Sequence, residues 1–156
     1  MKQIEYREAS KEDIDGIIKL NSNLFKEDGG TRDKYINVSW PQQEGRAHFS
    51  KFYTKKTHVI FVAEEKGNVI AYIAGYTKRA ESLRPVETSE IESMYVLDKY
   101  RSKGVGSKLV ETFISWSKEK GVKLVSVTAY SKNLKALDFY QKHQFKSHNT
   151  TLETEI

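Results

Sequence analysis

The chain has 156 residues, of which 30% are charged, with a formal net charge of +5 and no cysteine. That length fits one domain, residues 1–156, around a single core, and the lack of cysteine excludes disulfides, thiolate nucleophiles and zinc–thiolate sites and favours a cytoplasmic location. No apolar run approaches the roughly 20 residues of a membrane span, and the four histidines lack the spacing of metal ligands, so neither a membrane nor a metal is expected.

The N-terminal part of the chain predicts a strand followed by a helix. Apolar and polar residues alternate over 4–8, as they do in a half-buried strand. Ser10 precedes acidic residues and then isoleucines at helical spacing, which predicts a helix that ends at Gly29–Gly30. Residues 31–57 are polar and weakly patterned, and we expect one further helix at about 43–53.

The middle of the chain predicts three strands. Residues 58–64 and 69–77 are rich in β-branched and aromatic side chains, and the Glu-Lys-Gly-Asn sequence between them is typical of a hairpin turn. A polar loop at 79–88 then leads to a third strand at 89–96.

The C-terminal part predicts two helices and two strands. Apolar residues recur at helical spacing from Val105, and lysines followed by Gly121 are typical of a helix end. A buried strand is expected at 124–129, a second helix from Asn133, and a final strand in the weakly alternating tail, 146–156. This order predicts an α+β domain with a mixed sheet and helices on both faces.

The segment that joins the third strand to the following helix is the most informative. It reads Arg-Ser-Lys-Gly-Val-Gly-Ser over residues 101–107. Gly104 and Gly106 let an anion approach the backbone, and the helix N-terminus adds unpaired N–H groups and a positive partial charge. Acidic and basic residues balance over 1–96, so the whole excess of +5 lies in residues 97–156. The segment therefore predicts a site for a pyrophosphate and a nucleotide-like ligand.

Two common phosphate-binding motifs do not fit this segment. A Walker A loop requires Gly, four residues and then Gly-Lys-Ser/Thr, a string that the chain lacks. The dinucleotide fingerprint requires a third glycine where Leu109 stands, and an acidic residue about 20 positions later, where the chain reads Val-Ser-Val-Thr-Ala.

What fits is Arg-x-x-Gly-x-Gly after a strand that ends in Tyr-Val, and here the sequence resembles the GNAT superfamily of acetyl-CoA-dependent N-acetyltransferases. The resemblance extends from Ile4 to about Phe145 and is strongest at 92–109 and 133–145. It implies a layered α/β/α domain with a mixed, mainly antiparallel sheet whose two central strands splay apart around the pantetheine arm. It also implies acetyl-CoA as the cosubstrate. The residues implied to contact acetyl-CoA are Met94, Tyr95, Val96, Arg101, Ser102, Lys103, Gly104, Val105, Gly106, Ser107, Asn133 and Tyr140.

Two glutamates on the third strand are candidates for the base that removes a proton from the amine. Glu90 and Glu92 are two positions apart and face the same side, together with Met94 and Val96 unless a bulge intervenes. In GNAT enzymes an acidic residue on this strand often acts as the base, and the resemblance makes Glu92 the better match. If the strand bulges as it does in the family, backbone N–H groups of residues 94–96 would polarise the acetyl carbonyl.

A tyrosine on the last helix is the candidate acid. The sequence Asn-Leu-Lys-Ala-Leu-Asp-Phe-Tyr over 133–140 resembles the second family motif, which implies that Tyr140 lies at the thioester sulfur and protonates the leaving thiolate. Asn133 is expected to cap this helix and to contact the pantetheine or a phosphate. Gln144 stands where the family has glycine, which permits a positive φ at a helix end, so a different or strained helix exit is expected.

The acceptor is less well defined than the cosubstrate. Glu27, Asp28 and Asp33 cluster around a glycine pair with Trp40 nearby, a combination that suits a cationic amine and equally a solvated loop. We expect a small amine, because the chain has no second domain on which a large substrate could dock. Protein N-termini, lysines and aminoacyl-tRNA are alternatives, and a homodimer is compatible with the sequence.

Two further function classes compete with an enzyme. A pI of about 9.2 favours a nucleic-acid-binding module, but no recognition-helix or RNA-binding pattern is present, so nucleic acid is disfavoured as a partner. A non-catalytic acyl-CoA sensor would keep the pyrophosphate site and lose the chemistry.

Overall fold

Five strands and five helices follow one another along residues 3–156, the part of the chain that the computed structural model describes. Three-residue 3-10 turns precede the first helix, follow the third helix and follow the fourth strand. Met1 and Lys2, the first residues of the predicted domain, lie outside the described part. The elements are β1 (Glu5–Glu8), α1 (Ile14–Thr31), α2 (Trp40–Gln43), α3 (Gly45–Ser50), β2 (His58–Glu65), β3 (Asn68–Lys78), β4 (Thr88–Val96), α4 (Val105–Glu119), β5 (Leu124–Val127) and α5 (Leu134–Lys142).

The strands form one sheet in the order β1-β2-β3-β4-β5. All neighbours are antiparallel except β4 and β5, which are parallel, so the predicted mixed, mainly antiparallel sheet is confirmed. β4 and β5 pair only over Thr88–Ile91 and Leu124–Val127. Because β5 ends there while β4 continues to Val96, the sheet opens into a gap between the two strands, which we call the β4–β5 gap.

Two apolar layers cover the sheet. On one face Leu109 and Phe113 of α4 pack on Ile73, and on the other Ile17 of α1 and Phe49 of α3 contribute to a second core. Helices therefore lie on both faces, as predicted, because each face carries alternate apolar side chains of the same strands. Within residues 3–156 no helix has the length and apolar character needed to cross a membrane.

The prediction of a final strand in the tail was wrong. Residues 146–156 contain no strand, and their large apolar side chains, Leu152 and Ile156, are exposed. A strand needs an apolar face to bury or a partner to pair with, and the weak alternation of the tail supplies neither. The helix expected at 43–53 is divided into α2, which begins beside Pro41, α3 and a 3-10 turn.

The end of α5 contains a left-handed glutamine. The N–H of Phe145 donates to the carbonyl of Tyr140 at 3.1 Å and that of Gln144 to Gln141 at 3.0 Å, which is the Schellman pattern that normally has glycine at this position. Gln144 has φ of 69°, a conformation that costs an L-residue roughly 1–2 kcal/mol. The expected departure from the family pattern is thus a strained exit with the usual hydrogen bonds.

We expect Gln144→Gly to stabilise the protein by about 1 kcal/mol, because glycine adopts this φ without strain. Thermal unfolding should show a melting temperature higher by about 2–4 °C. Lys142→Gly, inside the last turn of α5, is the matched control and should destabilise by about 1 kcal/mol. A lower melting temperature for Gln144→Gly would contradict the strain.

Candidate active site

A bulge in β4 lies at the edge of the β4–β5 gap. Ile91 pairs with Gly75 and Ser93 pairs with Ala74, so Glu92 is an extra residue without a partner on β3. An extra residue turns the strand and reverses the side-chain alternation beyond it. The bulge on which the sequence prediction depended is therefore present, and Glu92 is the bulged residue.

The bulge separates side chains that alternation would place together. Glu90 and Glu92 lie on the face of α1 and α3, as expected, since Glu92 contacts α3. Met94 and Val96 pack into the core beneath α4 on the opposite face. They do not share the face of the two glutamates, because the bulge intervenes.

Two backbone N–H groups of β4 point into the gap. The N–H of Leu97 donates to the carbonyl of Ile70 on β3 at 3.0 Å. Since alternate residues of an antiparallel strand face the same neighbour, the N–H of Tyr95 also faces β3, whereas those of Met94 and Val96 face the gap that β5 has left. Donors fixed before the reaction suit an oxyanion.

The two glutamates differ in their partners. Glu92 Oε2 lies 2.9 Å from Nε2 of His48 on α3, whereas Glu90 forms an ion pair with Lys78 of β3. His48 was not among the residues selected from the sequence. It is 44 positions from Glu92, and a single histidine in a weakly patterned segment carries no local signal.

A buried hydrogen-bonded chain lies beside the bulge. Nδ2 of Asn21 on α1 donates to the hydroxyl of Tyr72 at 2.8 Å, and that hydroxyl donates to Oγ of Ser93 at 3.0 Å. Burial raises the pKa of Tyr72, so its hydroxyl stays protonated. Because the Tyr72 hydroxyl donates its hydrogen bond to Ser93 Oγ, the Ser93 hydroxyl can donate its own proton to another acceptor.

The predicted pyrophosphate turn has the geometry of an anion site. Ser102 and Gly104 have φ of 59° and 83°, and turns of this kind direct successive N–H groups toward one point. No side chain caps α4, whose first hydrogen bond runs from Lys108 N–H to the Gly104 carbonyl at 3.0 Å. The N–H groups of residues 105–107 are therefore left without helical partners, and this donor set fits a pyrophosphate.

Gly106 has a different surrounding from the one expected. A Cβ at this position would lie 3.4–3.5 Å from Phe139 of α5 and Met94, so the missing side chain faces the protein interior. Ser107 Oγ is 3.0 Å from Nε2 of His143, the residue that follows α5. These two residues hold the start of α4 against α5, while their N–H groups belong to the anion site.

Arg101 links this turn to α1. Its Nη2 donates to Glu27 at 2.9 Å and its Nε to the Val96 carbonyl at 2.8 Å, and it lies over the ring of Tyr95. Tyr95 also donates to Glu27, at 2.7 Å. The Arg101 guanidinium is thus held by the protein, and Lys103 is the exposed cation of the turn.

Tyr140 is almost fully buried. Burial raises its pKa to about 12, so the phenol is protonated at neutral pH. Its hydroxyl makes no hydrogen bond within residues 3–156, and it is not sealed from solvent as the unpaired hydroxyl of Tyr53 is. Asn133 Oδ1 accepts the N–H of Ala136 at 3.2 Å, which confirms the predicted helix cap.

The acidic residues expected around the acceptor already have partners. Asp28 pairs with Arg32 at 2.9 Å, and Asp33 accepts the hydroxyl of Tyr130 at 2.8 Å. Trp40 instead stacks on Phe25 and meets the ring of His48 edge-on at 5.3 Å. The aromatic residue predicted for the acceptor site, Trp40, therefore packs against His48, the partner of Glu92, and not against the acidic residues.

The chain matches known proteins along most of its length. A family model described as the acetyltransferase (GNAT) family matches residues 24–145. An uncharacterised N-acetyltransferase of Methanocaldococcus jannaschii is 23% identical over 94% of this chain, which spans only 62% of that relative. An N-alpha-acetyltransferase of Sulfurisphaera tokodaii is 25% identical over 93% of this chain and 81% of its own length.

Solved structures show the same fold. The aminoglycoside N-acetyltransferase AAC(6')-Iy in complex with CoA has a TM-score of 0.81 at 14% identity, covering 100% of this chain and 96% of that one. At this identity the likeness concerns the fold. Together the matches confirm the resemblance, the α+β architecture and the enzyme class, acyltransferase, that the sequence implied.

Proposed function

As this chain belongs to the acetyltransferase (GNAT) family, we propose that it transfers the acetyl group of acetyl-CoA to the primary amine of a small molecule by direct attack in a ternary complex. The observation that carries the proposal is the β4–β5 gap, which the N–H groups of Met94 and Val96 face and at whose edge Glu92 is the bulged residue. A proton acceptor and oxyanion donors meet there, as amide formation requires.

Each step of the reaction has a candidate residue. The amine nitrogen loses a proton, with Glu92 supplying the base directly or through a bridging group, and its lone pair attacks the thioester carbonyl. The N–H of Met94 stabilises the negative oxygen. The carbon–sulfur bond breaks, and Tyr140 donates a proton to the thiolate, while the turn at 101–107 binds the pyrophosphate.

A small amine is the acceptor class that we propose. Trp40, which packs against the His48 partner of Glu92, can face an ammonium group, and a structure neighbour is an aminoglycoside N-acetyltransferase. The relative named as an N-alpha-acetyltransferase favours a peptide N-terminus as the second candidate. Both classes present a primary amine that is protonated at neutral pH.

Two measurements test the function. Acetyl-CoA at 100 times its dissociation constant should stabilise the protein by about 2.7 kcal/mol and raise its melting temperature by several degrees. Thiol release should then follow with an acceptor panel of sisomicin, spermidine, amino acid amides and a short peptide with a free N-terminus. No thermal shift would contradict an acetyl-CoA site, and a shift without thiol release from any amine would indicate a sensor.

Tyr140→Phe should lower kcat by about 10-fold and leave the acetyl-CoA thermal shift unchanged. The effect is modest because a thiolate with a pKa of about 8.5 is already a good leaving group. Tyr53→Phe, which also removes an unpaired hydroxyl from a partly buried tyrosine, is the matched control and should retain its rate. Equal rates for both variants would contradict the role of Tyr140 as the acid.

A further inference from the structure

The contact between Glu92 and His48 fixes where the imidazole carries its proton. An ionised carboxylate can only accept hydrogen bonds, and Glu92 Oε2 lies 2.9 Å from Nε2 of His48. A neutral His48 in this contact therefore bears its proton on Nε2. The lone pair of Nδ1 is then unprotonated and able to accept a proton.

The surroundings of His48 hold the ring and leave Nδ1 accessible. Trp40, Phe49 and Phe52 meet the imidazole edge-on at centroid distances of 5.3, 5.1 and 5.6 Å. Nδ1 makes no hydrogen bond to any residue of the described chain, and it is not among the polar atoms sealed from solvent. The ring is thus oriented by packing on three sides, with its free nitrogen open.

We propose that Glu92 and His48 form a catalytic dyad in which Nδ1 of His48 takes the proton from the acceptor ammonium. Glu92 holds the Nε2–H tautomer and stabilises the imidazolium that forms, which is the logic of a carboxylate–histidine pair in nucleophilic hydrolases. This assignment rests on the proposed acetyl transfer and identifies the group through which Glu92 supplies the base.

The proton and electron pairs balance within the dyad scheme. Nδ1 binds the proton as the ammonium becomes a neutral amine, and the amine lone pair forms the new bond to the carbonyl carbon. The carbon–sulfur electrons leave on sulfur, which is protonated by Tyr140. The nitrogen of the tetrahedral intermediate loses its second proton to the tyrosinate, which restores the phenol, and the imidazolium returns its own proton to water, so one proton is released for each acetyl group transferred.

Other titratable groups surround the dyad. On the sheet these are Glu90 with its partner Lys78, and Tyr72 and Tyr76 of β3. On β2 it is His58, whose pKa is lowered by burial and whose Nδ1 is 2.9 Å from Thr57. The helices α1 and α2 contribute the apolar rings of Phe25 and Trp40.

His58 is therefore the matched control histidine. It lies near the dyad, packs edge-on against Phe52 and stacks on Tyr76, but it makes no contact with Glu92. His58→Gln removes an imidazole from the same region without removing the proposed proton acceptor.

The first experiment determines the tautomer of His48 in the absence of an acceptor amine. Nitrogen-15 NMR of the free protein, with His48→Gln used to assign the signal, should show Nε2 protonated and Nδ1 unprotonated at a pH where the ring is neutral. In Glu92→Gln that preference should weaken. An Nδ1–H tautomer in the native protein would overturn the dyad.

The second experiment separates proton removal from structural support. His48→Gln should lower kcat about 100-fold with the best alkylamine of the panel, and the rising limb of its pH profile should differ from that of the native enzyme. With hydroxylamine, which is unprotonated at neutral pH and needs no base before attack, the loss should stay below about 3-fold. An equal loss with both acceptors would overturn the proposal, as would an equal effect of His58→Gln.

Failure of the dyad and failure of the proposed function give different results. An active enzyme with the Nδ1–H tautomer would overturn the dyad alone. A protein with the Nε2–H tautomer that releases no thiol with any amine would contradict the acetyl transfer on which the dyad rests.

Discussion

Glu92→Gln should lower kcat/KM for the acceptor amine by about 10²–10³-fold, within the range of about 10²–10⁴-fold that a general base contributes. Glutamine is nearly isosteric but carries no charge, so it cannot stabilise a proton taken from the ammonium. Because the Glu92 carboxylate contacts His48 on the face of α1 and α3 and forms no hydrogen bond with the turn at 101–107 among the described residues, acetyl-CoA should raise the melting temperature as before. Steady-state thiol release and thermal shift measure the two quantities.

Glu90→Gln is the matched control for this variant. The residue has the same chemistry, lies on the same strand and face two positions away, and is already neutralised by Lys78. We expect it to change kcat/KM by less than about 3-fold. A larger loss of kcat/KM for Glu90→Gln than for Glu92→Gln would identify Glu90 as the base. Full activity in both variants would exclude a carboxylate base on β4.

Gly75→Ala should destabilise the protein by about 3 kcal/mol, as overpacking in a fully formed core does. Gly75 lies opposite the bulge, and a Cβ there would overlap the backbone carbonyl of Glu90 and approach the ring of Phe113 to 2.5 Å. The carbonyl belongs to the sheet and Phe113 is fully buried, so neither can move away freely. Urea unfolding should show a lower midpoint with an unchanged slope.

Gly30→Ala provides the control for Gly75→Ala. Gly30 is also in a regular element, α1, but no atom of residues 3–156 lies within 4 Å of an added Cβ. Alanine there should be neutral or stabilise by up to about 1 kcal/mol through its helix propensity. A loss below 1 kcal/mol for Gly75→Ala would mean that β3 and α4 can separate at low cost, and that the bulge does not depend on their close approach.

Much of the fold could be predicted because its signals are local. The hairpin turn, the glycine-spaced start of α4 and the Asn133 cap each depend on residues within a few positions of one another. The tail was predicted wrongly from an equally local alternation, because a strand also needs a neighbour and the tail lacks one. Local patterns therefore identify elements with their own caps and turns, and fail for an element that depends on pairing.

The site was harder to predict because its decisive contacts span the chain. Glu92 meets His48 across 44 positions and Arg101 meets Glu27 across 74. The Glu-Ser-Met-Tyr sequence is compatible with regular alternation, and the bulge becomes visible only when β3 supplies the register. Motifs thus indicated which segments form the site, while the partners of their charged side chains depended on tertiary packing.

The one-sided separation of β4 from β5 has a consequence for the free energy of ligand binding. The N–H groups of Met94 and Val96 have already lost a strand partner in the ligand-free chain, a cost borne during folding, so a ligand carbonyl can bind them without breaking a backbone hydrogen bond. Amide hydrogen exchange should therefore alternate along one strand, fast at Met94 and Val96 and slow at Tyr95 and Leu97. Saturation with CoA should abolish the alternation by slowing exchange at Met94 and Val96. That result would show that the bound ligand accepts the hydrogen bonds that β5 leaves unmade at this edge of the sheet.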